Sequence, residues 1–271
     1  MRTTALRLAK AVIPASLRSR LRRSAMLRSC VRRWLSGVRS MPLPPGDLTF
    51  YFDGYRHASY ELHGAVELEE RDSVDRLLET HRWRSFWDVG ANIGYWSLYL
   101  TARLGRELSV RAFEPDEENL VLLRMNADRN HLPWVVRPVG VSDRVGAALF
   151  NRDTESGATG SLESGHQWIT RNFGMQTTGC EIPLTTIDHE VADGAIAPEM
   201  MKIDVEGHEA AVFRGGLETL RVYRPCIMFE TSEMTDLEYI RKVLNDLGYR
   251  LYDARLNRVE HVGLNSFALP T

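Results

Sequence analysis

The chain has 271 residues, of which 44% are hydrophobic and 26% are charged, as in an ordinary globular protein. This composition excludes a wholly disordered or collagen-like chain, and no run approaches the roughly 18 consecutive apolar residues of a membrane span. The net charge of −2 hides a division, because residues 1–40 hold eleven Lys or Arg and no acid, whereas residues 41–271 hold all 36 acidic residues. The acidic body argues against a broad nucleic-acid-binding surface.

Residues 1–46 are predicted to be a basic amphipathic helical arm that ends in a proline-rich linker at 41–46, which cannot continue a helix. Apolar residues recur at helical spacing over 27–38, with arginines between them. Such a helix can lie on an anionic membrane. Docking on the acidic body and an organellar targeting segment are the alternatives.

The cysteines indicate a reducing compartment. The chain has three, an odd number that cannot all form pairs, and their positions lack metal-ligand spacing: Cys30, Cys180 and Cys226. We therefore expect a cytoplasmic protein, which is peripheral at the inner face of the membrane if the arm binds there.

Residues 47–271 are predicted to form one α/β domain, with short strands in 48–68 and a Gly/Ser/Thr-rich irregular insertion over 151–180. The predicted strands of its sheet, with an extra one at 147–150, are 85–89, 108–113, 134–141, 200–205, 226–230, 250–254 and 265–269. The predicted helices are 72–80, 95–104, 117–130, 210–222 and 236–247. This alternation implies a mostly parallel sheet with helices on both faces, and ligands bind where loops leave the carboxyl ends of such strands.

The loop after strand 85–89 runs from Asp88 to Gly94 as DVGANIG and opens a helix. Glu114 lies twenty residues further on, at the end of the next strand, where a carboxylate can accept hydrogen bonds from a ribose diol. The dinucleotide pattern G-x-G-x-x-G fails, because Asn92 replaces its second glycine. This favours a nucleoside without a diphosphate, such as S-adenosylmethionine, whose ammonium would lie near Asp88. The alternative is a plain strand–turn–helix corner that Asp88 caps.

A second loop, from Lys202 as KIDVEGHE, concentrates titratable groups at the end of a later strand. Alternation places Asp204 and Glu206 on the same side, and Glu230, which ends the next strand, should lie beside them. We predict that these groups hold an acceptor hydroxyl and remove its proton, with His208 as the base and Glu206 or Asp204 as its orienting partner. The alternative assignment reverses these roles and makes Glu206 the base.

Two other interpretations of this second loop are a divalent metal site and simple capping of the following helix. The spacing of its carboxylates and histidine matches no fixed metal-ligand pattern, so no metal is predicted. Capping accounts for Glu206 and Glu209 but not for Asp204 and Glu230, which lie at two strand ends.

Four segments in this order resemble the FkbM family of S-adenosylmethionine-dependent methyltransferases: DVGANIG, FEPDEENL with Asn126 downstream, VGVSD at 139–143 and KIDVEGHE. The resemblance covers about residues 84–231. It implies a class I methyltransferase fold, with seven strands of which the last is antiparallel, and O-methylation of a hydroxyl on a sugar, glycolipid, polysaccharide or natural product. The cofactor contacts that it implies are Asp88, Gly90, Asn92, Gly94, Glu114 and, at the adenine, Asp143.

Two rival functions remain at this point. One is a non-catalytic, membrane-associated scaffold that retains the fold, although such a module has no need for Glu114 together with the 204–208 cluster. The other is a nucleic-acid methyltransferase, which the acidic body and the lack of an Asn/Asp-Pro-Pro-aromatic tetrapeptide disfavour. The predicted partner is therefore a small-molecule or glycan acceptor and not a nucleic acid.

Overall fold

The computed structural model describes residues 36–45, 47–57, 60, 67–153, 160–162 and 177–271. Most of the predicted helical arm and most of the predicted insertion lie outside the described residues, so the division of the chain at residue 46 stays a prediction. No helix in the described part of the chain is long and apolar enough to cross a membrane.

The described residues form thirteen strands and seven helices, numbered in chain order. The strands are β1 (Val38–Leu43), β2 (Leu48–Asp53), β3 (Ser85–Val89), β4 (Ser109–Phe113), β5 (Val135–Arg137), β6 (Gly140–Val141), β7 (Gly146–Asp153), β8 (Thr177–Thr185), β9 (Met200–Ile203), β10 (Cys226–Glu230), β11 (Tyr249–Asp253), β12 (Arg258–Val259) and β13 (Asn265–Pro270). The helices are α1 (Leu68–Leu77), α2 (Tyr95–Leu104), α3 (Glu117–Arg129), α4 (Ile187–Ala192), α5 (Glu209–Arg214), α6 (Leu217–Tyr223) and α7 (Leu237–Asp246).

The central sheet has the spatial order β12-β11-β13-β10-β9-β3-β4-β5. Strands β3, β4, β5, β9 and β10 are parallel, and β13 runs antiparallel to both of its neighbours. The sheet therefore has eight strands rather than seven, because the two-residue β12 extends one edge. The strand order reverses between β3 and β9, and a crevice for ligands is expected outside the carboxyl ends of strands at such a point.

Apolar side chains cover both faces of the sheet, because consecutive residues of its central strands are apolar and point to opposite faces. Phe86 packs in a layer with residues of α1, α2 and α3, whereas the next residue, Trp87, packs in a layer with residues of α5, α6 and α7. Both side chains are almost fully buried, and burial of a large apolar side chain contributes about 1.5–3 kcal/mol. The two layers hold β3 and β9 rigidly side by side.

An antiparallel hairpin of β1 and β2 precedes the central sheet. Strand β1 includes the first residues of the predicted linker. Residues 41–43 therefore pair with β2 and do not form a linker. Pro42 is accommodated because β1 has a strand neighbour on one side only. The side-chain amides of Asn126 in α3 and of Asn130, which follows α3, hold the hairpin, since they bond the backbone N–H and C=O groups of Tyr51 and Thr49 at 2.7–2.9 Å.

The prediction of one strand over 134–141 was wrong, because β5 and β6 belong to different sheets. Pro138, which has no N–H to donate, interrupts the ladder, and β6 joins a second sheet of order β6-β8-β7. The irregular insertion predicted over 151–180 was wrong at both ends, where β7 reaches Asp153 and β8 begins at Thr177. The alternation of apolar residues in β8 is weak, and long-range pairing with β7 stabilises the strand.

The single helix predicted over 210–222 is two helices, α5 and α6, which meet at Gly215 and Gly216. A Cβ on Gly215 would lie 2.1 Å from the carbonyl oxygen of Ser142. The glycine pair therefore lets the chain pass close to the segment after β6, and glycine also has a low helix propensity.

Cys180 and Cys226 are both free thiols, and Cys30 lies outside the described residues.

Candidate functional site

The loop between β3 and α2 turns at two glycines with positive φ, Gly90 at 78° and Gly94 at 84°. A Cβ on Gly90 would lie 1.8 Å from the carbonyl oxygen of Asp204, and one on Gly94 would lie 2.7 Å from Leu123 Cδ1. Gly90 therefore lets the loops after β3 and β9 touch, and Gly94 lets α2 pack against α3. Asn92 also has a positive φ, of 51°, and its Oδ1 accepts a hydrogen bond from the next backbone N–H.

Glu114 follows β4 and reaches across to this loop. Its Oε2 accepts from the Asn92 N–H at 2.8 Å, and its Oε1 accepts from the Asp116 N–H at 2.8 Å. The side chain is buried, and burial raises the pKa of Glu114 to about 8, although the two backbone hydrogen bonds favour the charged form. The structure thus places Glu114 against the cofactor loop, as the sequence predicts.

Asp88 lies at the end of β3 and is buried beneath the same loop. Its Oδ2 accepts from the N–H and the hydroxyl of Ser97 at 3.2 and 2.6 Å, which ties it to the first turn of α2. Its Oδ1 is buried and has no hydrogen-bond partner among the described residues. Burial raises the pKa of Asp88, and the positive charge of Lys202 opposes that shift.

Lys202 stands opposite Asp88 in the register of β9 and β3. Its Nζ lies 2.7 Å from Asp204 Oδ2, and both groups are largely removed from solvent. Burial alone would lower the pKa of Lys202, but the carboxylates of Asp204, Asp88 and Glu67 raise it above its ordinary value. Lys202 is therefore a permanent cation among carboxylates, and it was not among the predicted site residues.

Glu206 adopts a left-handed backbone conformation, with φ at 53°. Burial raises the pKa of Glu206, and the charges of Asp204 and Glu230 add to the effect. Burial and the charge of Asp204 likewise raise the pKa of Glu230. Asp204, Glu206 and Glu230 therefore lie close enough to affect one another, as their positions at two adjacent strand ends predict.

A cleft that is partly open to solvent lies at the carboxyl ends of β3, β4 and β9, where the strand order reverses, and its empty space together with that solvent is about 640 Å³. Asn92 and Glu114 line it from one side, and Asp204 and Glu206 line it from the other. Leu162, beside the second sheet, forms part of its apolar wall. The predicted cofactor loop and the predicted acceptor groups thus face one space.

Five predicted residues do not line this cavity: Asp88, Gly94, Asp143, His208 and Glu230. The ring of His208 lies beside α5 with Nε2 2.9 Å from Ser142 Oγ. The carboxylate of Asp143 is paired with Arg214 at 3.0 Å on the surface. Burial would raise the pKa of Asp143, but the hydrogen bond and charge of Arg214 outweigh it and hold the pKa below its ordinary value. The predicted roles of His208 as a base and of Asp143 at adenine stay predictions.

The residues at the cavity fit S-adenosylmethionine. The amino-acid tail of this cofactor carries an ammonium, and Asp88 offers a buried carboxylate oxygen that lacks a partner. Its ribose carries a diol, and Glu114, which lines the cavity, has the carboxylate that can accept hydrogen bonds from such a diol. Gly90 removes a side chain that would otherwise collide with the loop after β9. Among the residues that the structure describes, no group of three His, Cys, Asp or Glu side chains is arranged to hold a metal ion.

Lys202 and Glu67 are the charged residues of the site that sequence reasoning missed. Lys202 could have been found, because it lies two residues before Asp204 on a strand and so shares its face. Glu67 precedes α1, and its carboxylate accepts a hydrogen bond from the indole N–H of Trp96. No sequence signal joins Glu67 to β9, since only the tertiary fold brings α1 to this end of the sheet.

The strand order, the antiparallel β13 and the paired loops after β3 and β9 define a class I methyltransferase fold. The model of the methyltransferase FkbM domain matches residues 88–251, which is more than half of the chain. The chain therefore belongs to the FkbM methyltransferase family and uses S-adenosylmethionine as its methyl donor. The family match confirms the resemblance that the four segments carry.

A curated relative is the hexuronic acid methyltransferase AglP of Haloferax volcanii, which is 27% identical over 193 residues, or 70% of this chain and 74% of that protein. Among solved structures, the methyltransferase FkbM from Methylobacillus flagellatus KT is 16% identical, with a TM-score of 0.48, over 78% of this chain and 52% of that one. This chain thus spans about half of that protein. A precorrin-6y C5,15-methyltransferase from Geobacter metallireducens GS-15 is 12% identical over 74% of this chain and 87% of that one, with a TM-score of 0.43.

Neither the family match nor the curated relative favours a non-catalytic scaffold or a nucleic-acid methyltransferase. The family assignment rests on the family model and on the arrangement of the two loops, since both structural likenesses have TM-scores below 0.5.

Proposed function

We propose that the protein transfers a methyl group to a hydroxyl oxygen of a sugar, either free or within a glycan or glycolipid. The observation that carries the proposal is the single cavity that Glu114 shares with Asp204 and Glu206. A methyl donor held at Glu114 and an acceptor held at the two carboxyls would meet there. The Haloferax volcanii relative, whose name describes it as a hexuronic acid methyltransferase, supports a sugar as the acceptor.

The chain's own residues would hold the acceptor and remove its proton. When bound, the cofactor supplies a methyl group on a sulfonium, which is a good leaving group. Glu206 would accept a hydrogen bond from the acceptor hydroxyl and take the proton that it loses, and Asp204 would accept one from a neighbouring hydroxyl of the sugar. Alignment of the reactants can contribute about 7–11 kcal/mol, and a general base typically adds about 10²–10⁴-fold.

Glu206 is the better proton acceptor because of its surroundings. Lys202 neutralises Asp204 at 2.7 Å and fixes its position. Burial and the neighbouring carboxylates raise the pKa of Glu206, so that its ionised form is a stronger base than an ordinary glutamate. His208, whose ring is hydrogen-bonded to Ser142, would then support the loop rather than touch the acceptor.

The direct test incubates the protein with methyl-labelled S-adenosylmethionine and a panel of p-nitrophenyl hexosides and hexuronides, with mass spectrometry of the products. We expect a methyl ether that survives alkaline treatment on at least one sugar, and loss of this product in Glu206→Gln. Glu218→Gln, in an exposed ion pair with Arg221, is the matched control. A base-labile methyl ester as the only product, or methylation confined to non-sugar hydroxyls, would overturn the proposal.

The charge pattern of residues 1–40 supports a second, separate proposal, that this arm contacts an anionic membrane surface. Co-sedimentation with phosphatidylserine-containing vesicles should be strong for the full chain and weak when the arm's arginines are replaced by glutamine. Equal co-sedimentation of both chains would refute the contact without affecting the methyl transfer.

A further inference from the structure

Glu209, the first residue of α5, is almost fully buried, with its side chain turned back toward the loop after β9. Its Oε1 accepts from the Gly207 N–H at 3.0 Å and from the Val205 N–H at 3.3 Å. These two N–H groups flank Glu206 on either side. One carboxylate oxygen therefore holds the backbone on both sides of the residue proposed as the base.

The other oxygen of Glu209 reaches a different loop. Its Oε2 accepts from the hydroxyl of Thr235 at 2.5 Å, in the segment 231–236 that follows β10. The same hydroxyl oxygen of Thr235 accepts from the Ser232 N–H at 2.9 Å, so the hydroxyl also closes the turn within its own loop. Glu209 thus joins the loop that carries Glu206 to the loop that follows Glu230.

Direct packing brings the two loops into contact at the same place. A Cβ on Gly207 would lie 3.1 Å from Met234 Cβ and 3.1 Å from Ser232 Oγ. The contact leaves no room for the loops to shift independently. The carboxylate of Glu209 is consequently the polar link inside a close interface between two loops.

We propose that Glu209 is a positioning residue that fixes the loops after β9 and β10 against each other, and so sets the placement of Glu206 relative to Glu230. This inference rests on the proposed function for its catalytic meaning. The reason for such a device lies in the backbone of Glu206, whose positive φ is costly for a non-glycine residue and needs support from its surroundings. Glu209 supplies that support through the N–H groups on either side.

A cap of helix α5 alone is the competing explanation, and it makes a different prediction. A capping carboxylate would protect only the start of its own helix and the adjoining loop. A link between the loops would protect both of them, although 231–236 lies more than twenty residues further along the chain. Hydrogen exchange of each loop therefore separates the two explanations.

The experiment measures amide hydrogen exchange by mass spectrometry on the full chain, for wild type and three variants. Glu209→Gln keeps the shape but replaces an acceptor oxygen with an amide NH₂, and Thr235→Val removes the hydroxyl. Thr235→Ser keeps the hydroxyl and is the matched control. We expect exchange about tenfold faster or more in both 204–208 and 231–236 for the first two variants, and wild-type exchange for the control.

Activity provides a second readout. Glu209→Gln and Thr235→Val should lower the kcat of methyl transfer to the p-nitrophenyl sugar that wild type modifies, with the cofactor Kd within about threefold of wild type. The double variant should be no slower than Glu209→Gln alone, because both changes break one link. Faster exchange confined to 204–208, or fully additive effects, would overturn the inference. The exchange result needs no acceptor, so it stands apart from any failure of the proposed function.

Discussion

Lys202 Nζ lies 2.7 Å from Asp204 Oδ2 on strand β9, and Lys202 is the register partner of Asp88 on β3. Lys202 therefore lies at the position where the strand order of the sheet reverses. It neutralises one carboxylate of the acceptor side and compensates another on the cofactor side. The charge balance of both halves of the site depends on this one lysine.

Replacement of this lysine tests its role in stability. Lys202→Met should lower the free energy of unfolding by about 3–5 kcal/mol, because it leaves buried carboxylates without their cation. Chemical denaturation at neutral pH measures the change. Lys202→Met with Asp204→Asn should recover part of the loss, and a single variant within about 0.5 kcal/mol of wild type would contradict the account.

The close contact of Gly90 with the loop after β9 can be tested by a substitution that adds one methyl group. Gly90→Ala should cost about 3 kcal/mol or more, from its positive φ and from overlap with the carbonyl of Asp204, and should abolish cofactor binding. Gly194→Ala is the control, since Gly194 also has a positive φ but no atom lies within 4 Å of its Cβ position. Calorimetry and thermal unfolding measure both effects. Equal costs for the two variants would show that the close approach is unimportant.

The proposed ribose-binding role of Glu114 predicts a loss of affinity without loss of fold. Glu114→Gln should raise the Kd of S-adenosylmethionine by about tenfold or more, because an amide NH₂ replaces one acceptor oxygen, and a hydrogen-bonding group left without its partner costs about 1–3 kcal/mol. Isothermal titration calorimetry measures the Kd. Glu117→Gln, exposed and three residues further along, should bind as wild type does. An unchanged Kd in Glu114→Gln would remove Glu114 from the cofactor site.

The raised carboxyl pKa values predict that stability falls in alkali. Glutamates such as Glu114 titrate near 4.5 when unfolded but near 8 when folded, so the folded protein binds more protons above pH 4.5. The stability contribution is therefore full below pH 4.5 and is lost as the pH rises through 8. The free energy of unfolding should fall as the pH rises from about 5 to about 9, by at most about 1.4 kcal/mol per pH unit for each group.

The comparison for this pH effect is the double variant Glu206→Gln, Glu230→Gln. Burial raises the pKa of both glutamates in the folded protein. The glutamines of the variant have no carboxyl group and do not titrate. Its stability should therefore depend less steeply on pH over the same range. A slope as steep as that of wild type would mean that these two carboxyls are already ionised at neutral pH.

The assignment of the base can be decided between Glu206 and His208. Glu206→Gln should lower kcat by about 10²–10⁴-fold while the cofactor Kd is unchanged. His208→Gln should lower kcat less than about tenfold, because an amide can still bond Ser142 and the ring does not line the cavity. Both kcat values come from the sugar methylation assay. The opposite order of effects would restore His208 as the base.

Local patterns were enough to predict the elements that are buried and regular. Strands β3 and β10 and helix α2 lie at the predicted residues, because each is a mainly apolar segment bounded by a glycine, proline or polar residue. The pairing of Glu114 with the loop after β3 was also predictable, since the carboxyl ends of parallel neighbours meet at one edge. Short-range periodicity carries this information directly.

Where long-range pairing decided the structure, the sequence patterns failed. Strand β8 forms because β7 pairs with it, and its own alternation of apolar residues is weak. Helices α5 and α6 separate because Ser142 approaches Gly215, a contact between residues more than seventy positions apart. No local window contains such partners.

The sequence by itself determined the class of fold, the family, and the two loops that face each other across the sheet, because motif order and strand alternation are properties of neighbouring residues. Only the tertiary structure decided which of their side chains share a cavity. It placed Glu206 at the cavity, turned His208 toward Ser142, and brought Lys202 among three carboxylates that are distant in the sequence. Side-chain direction and charge environment depend on packing between distant segments, and that packing exists only in the folded chain.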